Sequence, residues 1–132
     1  MKITRNAVYN YIADAVSAEH PNAYVASIYE PIPDSLPAVF VREIGDFRNR
    51  ENMTFTGVQG VRTSTFEIQV VSGHTNGSMS EAYALLETAR QAFFSLHYNE
   101  TNTVIVEDGQ NGNYRLRASY RRVIGDSDEL PT

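Results

Sequence analysis

The segment RTSTFEIQVV, residues 62–71, is the clearest strand in the sequence, because its apolar and polar residues alternate. One set of alternate positions is mostly apolar: Ser64, Phe66, Ile68 and Val70. The positions between them are polar: Thr65, Glu67 and Gln69. Successive side chains of a strand point to opposite faces of a sheet. The segment therefore predicts a strand with one face on the protein core and the other face directed away from it.

The segment DGQNGNYRLRASYRR, residues 108–122, predicts a turn that leads into a long last strand over residues 114–124. One face of this strand is expected to meet the helices: Tyr114, Leu116, Ala118 and Tyr120. The opposite face carries a row of basic residues interrupted by one serine: Arg115, Arg117, Ser119 and Arg121. If this strand pairs with residues 62–71, Glu67 and Gln69 share the polar face with the arginines.

Two segments have the apolar spacing of amphipathic helices. The first covers residues 4–18, with Thr4 as N-cap and apolar positions at Ala7, Val8, Tyr11, Ile12, Ala15 and Val16. The second covers residues 78–96 and opens with Ser78 and Glu81 in the spacing of a capping box. Its predicted buried stripe is Met79, Ala82, Tyr83, Leu86, Ala89, Phe93 and Leu96.

Shorter strands are predicted at residues 24–29, 38–44 and 103–107. The link between the first two contains Pro31, Pro33 and Pro37, and proline is excluded from central strands, so this link is a rigid connection.

Residues 45–60 are predicted as a long polar loop that also carries three apolar side chains, Phe47, Met53 and Phe55. Loops of this length in compact domains are usually functional or disordered. From Met53 onward the segment has an alternative, which is to extend the following strand outward as a hairpin arm. A second interpretation of the three apolar residues needs no partner: they would pack together in a small local core over the sheet.

These elements predict an α+β fold with the order α-β-β-β-α-β-β. We expect a mostly antiparallel or mixed sheet of about five strands packed against two helices. The length of 132 residues suits one domain, which we place at residues 1–125, followed by a polar C-terminal tail at residues 126–132.

The charge composition narrows the classes of function. The formal net charge is −5, which argues against a general nucleic-acid-binding surface. Of the 11 basic residues only Lys2 is a lysine. Arginine is favoured at protein interfaces, because its planar guanidinium pairs bidentately and keeps its charge when it loses water. Cysteine is absent, so disulfides and thiolate chemistry are excluded.

No constellation for catalysis or metal binding is evident in the sequence. His20, His74 and His97 are far apart and have no metal-ligand spacing. Phosphate-binding loops, nucleophile elbows and dinucleotide fingerprints are missing. We therefore expect no enzyme activity, no metal and no cofactor. We also expect no membrane partner, because no apolar run approaches the ~20 residues that span a bilayer.

The arginine row alone leaves three interpretations open. It fits a solvated sheet face with cross-strand ion pairs. It also fits an interface with another copy or with an acidic partner surface. Contact with nucleic acid is least favoured, because platforms for single strands place aromatic residues among the basic ones, and here the tyrosines lie on the opposite face.

The order and character of the segments resemble the tail-terminator, or tail-completion, proteins of long-tailed bacteriophages, including minor-capsid-like head–tail joining sequences. The resemblance covers nearly the whole chain. It includes the proline-rich link into AVFVREIGD (38–46), the strand RTSTFEIQVVSG (62–73), the helix EAYALLETARQAF (81–93) and the final DGQNGNYRLRASYRR. The junction from strand through a small polar turn to EAYALLETAR is the most recognisable part.

The resemblance implies a virion protein that forms a ring, typically a hexamer. Such a ring caps the head-proximal end of the tail tube, ends tail polymerisation and joins the tail to the head connector in the tail-neck region. DNA passes through the ring without sequence-specific binding, and the protein is made in the cytoplasm of the host bacterium. On this basis Arg115, Arg117 and Arg121, with Glu67, would meet a neighbouring copy or the connector. The predicted contacts to tube or neighbour are Phe47, Arg48, Arg50, Met53 and Phe55.

Two alternatives remain open from the sequence. A head-completion or connector protein of the neck shares the small size and the ring habit, although such adaptors are expected to be mainly helical. A non-phage α+β binding domain would need a pocket or a mixed basic and aromatic face, and the sequence places neither.

Overall fold

The computed structural model describes residues 3–28, 35–48, 61–73, 78–107 and 114–125; the side chains of residues 46–48, 61 and 104–107 are outside that description. The elements are α1 (Arg5–Glu19), β1 (Tyr24–Ala26), β2 (Ala38–Arg48), β3 (Val61–Ser72), α2 (Ser78–Ser95), β4 (Asn99–Glu107) and β5 (Tyr114–Gly125). The predicted α+β class and the order α-β-β-β-α-β-β are confirmed.

The five strands form one mixed sheet with the order β1-β2-β3-β5-β4. β1 runs parallel to β2, and the other neighbours are antiparallel. β3 is the central strand, and its Ile68 is opposite Val41 of β2 on one side and Ala118 of β5 on the other. The pairing of the last strand with residues 62–71 is therefore confirmed.

Both helices pack on one face of the sheet and enclose the main core. Val8, Ile12 and Val16 of α1 are fully buried against alternate residues of the strands, as the helical and strand periodicities require. An aromatic group stands at the centre: Phe66, Phe93, Tyr98 and Tyr120. The Phe93 and Tyr120 rings are stacked with centroids 4.5 Å apart. Burial of a ring such as Phe93 contributes about 1.5–3 kcal/mol.

Two strands are longer than their apolar pattern indicates. β2 continues through Gly45 to Arg48, so the first four residues of the predicted loop are strand, with Phe47 opposite Thr63 and Arg48 opposite Arg62. The register shifts between Glu43 and Gly45, so β2 contains a bulge there. The pattern of apolar and polar residues gave no indication of this bulge. β4 begins at Asn99 rather than at residue 103, because its polar first half is held by backbone pairing to β5. β1 covers only Tyr24–Ala26 of the predicted residues 24–29, and Tyr29 lies outside the described residues.

The buried face of α2 differs in part from the predicted stripe. Tyr83 is 43% exposed, while Leu85 and Ala92 are buried. The core contact is centred on the direction shared by Ala82, Ala89 and Phe93. At about 100° per residue, Leu85 and Ala92 lie within about 80° of that direction, whereas Tyr83 lies about 100° from it on the other side and so falls on the flank.

The helix ends have defined caps. The Thr4 hydroxyl accepts a hydrogen bond from the Ala7 backbone N–H at 3.1 Å, which confirms the predicted N-cap of α1. At the end of α2, His97 adopts a left-handed conformation with φ of 64°. Its N–H donates to the Phe94 carbonyl, and the Tyr98 N–H donates to the Phe93 carbonyl. This is a Schellman motif, and it directs Tyr98 into the core.

Candidate partner-binding face

The face of the sheet opposite α1 and α2, here called the helix-free face, carries the predicted polar residues. On β3 and β5 these are Thr65, Glu67, Gln69, Arg115, Arg117, Ser119 and Arg121. Their neighbours along each strand, such as Ile68 and Leu116, belong to the main core. Because side chains alternate along a strand, the polar residues lie on the other side. The structure therefore brings Glu67 and the three arginines onto one face, as predicted.

A chain of hydrogen bonds crosses this face from β2 to β5. Arg42 donates to Glu67 Oε1 through Nη2 at 3.0 Å and through Nε at 3.3 Å. Gln69 Nε2 donates to the same oxygen at 2.9 Å, and Arg115 Nη1 donates to Gln69 Oε1 at 3.1 Å. Glu67 is only 9% exposed and Arg115 only 7%, so these charges need such partners. Arg42 was not predicted as part of this face; its position two residues after Phe40 in the same strand was the available signal.

Arg117 and Arg121 differ from Arg115, because both are exposed. Arg121 is opposite Thr65 of β3 on one side and Asn99 of β4 on the other. Asn99 is also exposed, so the β4–β5 part of the helix-free face presents amide and guanidinium donors to the outside. Arg117 and Arg121 are called the arginine pair below.

The other end of the helix-free face is apolar and buried. Ala38, Phe40 and Val71 form a second small core with Ala26 packed against it. The Tyr24 ring meets Phe40 edge-on with centroids 6.3 Å apart. The helix-free face therefore has a buried apolar part at β1–β2 and an exposed cationic part at β5.

The remaining predicted site residues are not brought into this arrangement by the described structure. Phe47 and Arg48 belong to β2, and nothing is described of their side chains. Arg50, Met53 and Phe55 lie outside the described residues. The contact role of these five residues stays a prediction.

A cluster around Glu100 joins α2 to the sheet on the helix side. Arg90 Nε donates to Glu100 Oε2 at 2.6 Å, Tyr120 donates to the same oxygen at 2.8 Å, and Thr103 donates to Oε1. Burial raises the pKa of Glu100, but the hydrogen bonds outweigh burial and leave the pKa lowered. Burial, and then the hydrogen bond to Glu100, raise the pKa of Tyr120. Glu100 therefore stays ionised and Tyr120 stays protonated, as the hydrogen bond from the tyrosine to the carboxylate requires.

A cavity of about 640 Å³ lies beside the first turns of α1. Its lining includes Arg5, Asn6, Tyr9 and Glu43. Tyr98 donates to Ser64 Oγ at 2.9 Å and Ser64 donates to Glu43 Oε2 at 3.1 Å, so a hydrogen-bonded chain leads from the core to the Glu43 carboxylate. This cavity was not predictable from the sequence, because its lining comes from segments that are distant along the chain.

Among the residues that the structure describes, no group of three or more His, Cys, Asp or Glu side chains is gathered to hold a metal ion. Within the same part of the chain, no helix has both the length and the apolar character that crossing a membrane requires.

Comparisons with known proteins give distant structural likenesses, of which one is described below. No protein-family model matches the chain, and no curated protein matches it. Among solved structures, the chain is similar to a protein from "Cryo-EM Structure of an Extracellular Contractile Injection System, PVC sheath/tube terminator in extended state", with a TM-score of 0.40 and 8% sequence identity. The match covers 100% of this chain, and the chain spans 62% of the length of that protein.

Proposed function

We propose that the chain is a tail-terminator protein of a phage-like tail. In this proposal it forms a ring, typically a hexamer, that caps the head-proximal end of the tail tube, ends tail polymerisation and joins the tail to the head connector. Its role is structural, without catalysis. It would be made in the cytoplasm of the host bacterium and reside in the tail neck of the virion, with DNA passing through the ring.

The arginine pair is the observation that carries the proposal. Arg117 and Arg121 are exposed on a face whose other charged residues, as far as the structure describes them, are held by partners, such as Glu67 by Arg42. Exposed arginine on a strand that is paired on both sides supports binding to an acidic protein surface, because the backbone is fixed and the guanidinium keeps its charge when it is desolvated. A neighbouring copy or the connector would supply the acidic residues.

The sequence resemblance supplies the class of assembly. The structural neighbour described above is a sheath/tube terminator by its own description. With a TM-score of 0.40 that likeness is too distant to support the proposal, which rests on the arginine pair and on the segment pattern of the sequence. The contact to the tail tube is assigned to Phe47, Arg48, Arg50, Met53 and Phe55, as the resemblance implies.

Deletion of the reading frame from its parent genetic element tests the proposal. Electron microscopy should show over-long tails without heads beside DNA-filled heads without tails. Complementation in trans with the wild-type chain should restore normal particles, and complementation with Arg117→Glu should restore fewer. Complete virions after deletion would contradict tail termination.

The cavity beside α1 favours a second candidate, a small-molecule-binding α+β domain. Its lining combines the Arg5 guanidinium, the Glu43 carboxylate and the Tyr9 ring, which is the polar and aromatic mixture of many ligand sites. Thermal-shift screening of a metabolite library separates the two candidates. A ligand that stabilises the wild-type chain but not an Arg5→Ala variant would favour the binding domain.

A further inference from the structure

A groove between α1 and α2 opens to the outer side of the helical layer. Its volume is about 640 Å³. The lining is mixed: one part is small or apolar, Tyr11, Ala15, Ala18, Ala84 and Ala92, and another part is polar, His20, Thr88, Gln91 and Ser95. His20 Nε2 and the Thr88 hydroxyl are 2.9 Å apart and link α1 to α2 in this groove. Two exposed acidic residues, Glu19 and Glu87, also line it. The groove therefore offers a set of alanine side chains with two exposed carboxylates beside them.

The end of α1 adds negative character to this groove. The last turn of α1 contains Glu19 and has no basic residue. The C-terminus of a helix carries a partial negative charge of about half an elementary charge, which favours a nearby cation. Glu87 lies across the groove, where it accepts a hydrogen bond from Gln91 at 2.9 Å and forms an ion pair with Arg90 at 2.6 Å, while its own side chain stays 52% exposed. These hydrogen bonds lower the pKa of Glu87, so its carboxylate stays ionised.

The arginine pair has the complementary chemistry. Arg117 and Arg121 lie on the same face of β5, four positions apart, which separates their Cα atoms by about 13 Å. An arginine side chain has an apolar methylene stem and a charged planar end. Such a side chain fits a groove in which alanine side chains lie next to a carboxylate. The pair and the groove occupy opposite layers of the molecule, so one copy cannot bring them together within itself.

We propose that the arginine pair of one copy docks into the α1–α2 groove of the next copy. The guanidinium groups pair with Glu19 and Glu87, and the methylene stems lie on the alanine side chains. This inference rests on the proposed function, because it specifies which surfaces meet within the ring. A contact between two different surfaces is heterologous, and it closes into a ring when the rotation per copy allows.

A reciprocal charge reversal tests the docking. One variant carries Arg117→Glu with Arg121→Glu, and the other carries Glu19→Arg with Glu87→Arg. Native mass spectrometry and light scattering measure assembly, and circular dichroism checks the fold of each variant. Each variant alone should associate at least about tenfold more weakly than wild type, because like charges then face each other. An equimolar mixture should regain assembly with alternating variants, because each reversed surface then meets an opposite charge.

The outcomes separate this inference from the proposed function. Two results would overturn the groove as the docking partner without contradicting the ring itself. One is a ring that forms in the wild type and is lost only in the arginine variant. The other is an equimolar mixture that stays dissociated. A wild-type chain that remains monomeric, both alone and on tail tubes, overturns the ring and the docking together.

Cross-linking provides an independent measurement, because the chain has no cysteine. Arg117→Cys is mixed with Ala18→Cys under mild oxidation, and Asn6→Cys at the opposite end of α1 replaces Ala18→Cys in the control. Docking predicts a disulfide-linked heterodimer with Ala18→Cys in clear excess over the control. Equal yields with Ala18→Cys and Asn6→Cys overturn the proposal.

Discussion

Arg42 and Glu67 lie directly opposite each other in the β2–β3 ladder, with Arg42 Nη2 3.0 Å from Glu67 Oε1. Glu67 is 9% exposed, while the Arg42 side chain is 43% exposed. The pair thus resembles neither a free surface ion pair nor a fully buried one. Its carboxylate is the link through which Gln69 and Arg115 are positioned, so the pair organises the face on which the arginine pair stands.

Arg42→Ala should lower the free energy of unfolding by about 1–2 kcal/mol, since a nearly buried carboxylate loses a charged donor while solvent screening reduces the loss. Urea denaturation of the variant measures this change. Arg121→Ala removes the same type of side chain from an exposed position and should cost less than about 0.5 kcal/mol. Equal losses of unfolding free energy in the two variants would show that the Arg42–Glu67 pair stabilises the protein no more than an exposed arginine does.

His97→Gly should raise the free energy of unfolding by about 0.5–1 kcal/mol. His97 has φ of 64°, a conformation that costs less for glycine than for a residue with a Cβ atom. His97→Val is the matched opposite, because a β-branched residue is strained there, and it should destabilise the protein. Thermal unfolding by calorimetry ranks the three chains. A glycine variant less stable than wild type would contradict the strain argument.

The sequence predicted the elements whose periodicity spans many residues, and it missed features that depend on register. The alternation in residues 62–71 was sufficient to divide β3 into two faces. Arg42, by contrast, gains its role only because the β2–β3 register places it opposite Glu67. Gly45 and Asp46 have low strand propensity, yet backbone pairing carries β2 through them to Arg48.

The sequence was sufficient to predict which residues share the helix-free face, but not which of them are buried or hydrogen-bonded. Strand alternation assigned Arg115, Arg117 and Arg121 to one side, and the structure agrees. Alternation does not determine exposure, so it could not distinguish the 7% exposed Arg115 from the exposed Arg117. That difference arises from neighbours such as Gln69 on another strand.

Tyr120→Phe should flatten the loss of stability in alkaline solution. The pKa of Tyr120 in the folded state is raised, first by burial and then by its hydrogen bond to Glu100, above the ordinary value of about 10. The folded state therefore keeps the proton when the unfolded state releases it. This contribution to stability is complete below pH ~10 and is lost as pH rises toward the folded-state pKa.

Urea unfolding between pH 8 and pH ~11 measures this slope. The Phe variant loses the hydrogen bond and should be less stable at pH 8 by about 1 kcal/mol, yet its stability should decline less steeply above pH ~10. Tyr83→Phe changes an exposed hydroxyl and serves as the control with an unaltered slope. Parallel curves for wild type and Tyr120→Phe would contradict the assignment.

Removal of residues 49–55 should leave a folded chain that no longer docks on tail tubes. The deletion begins after Arg48, because β2 extends to that residue and pairs there with Arg62. It removes three of the predicted contact residues, Arg50, Met53 and Phe55. Circular dichroism checks the fold, and co-sedimentation with purified tubes measures docking. A deletion chain that still caps tubes would show that the contact lies elsewhere.

Arg117→Glu should weaken association between copies and make it less sensitive to salt. Arg117 is exposed on the helix-free face, so reversal of its charge should leave the fold intact while it repels an acidic partner surface. The Debye length falls from about 10 Å at 0.1 M salt to about 3 Å at 1 M, so wild-type association should weaken across this range. Arg5→Glu makes the same charge change at the exposed start of α1, and it should keep the wild-type mass and salt dependence. Light scattering across the salt series measures the mass of the assembly and its salt dependence. If Arg117→Glu assembles like wild type at every salt concentration, the arginine pair does not belong to the interface.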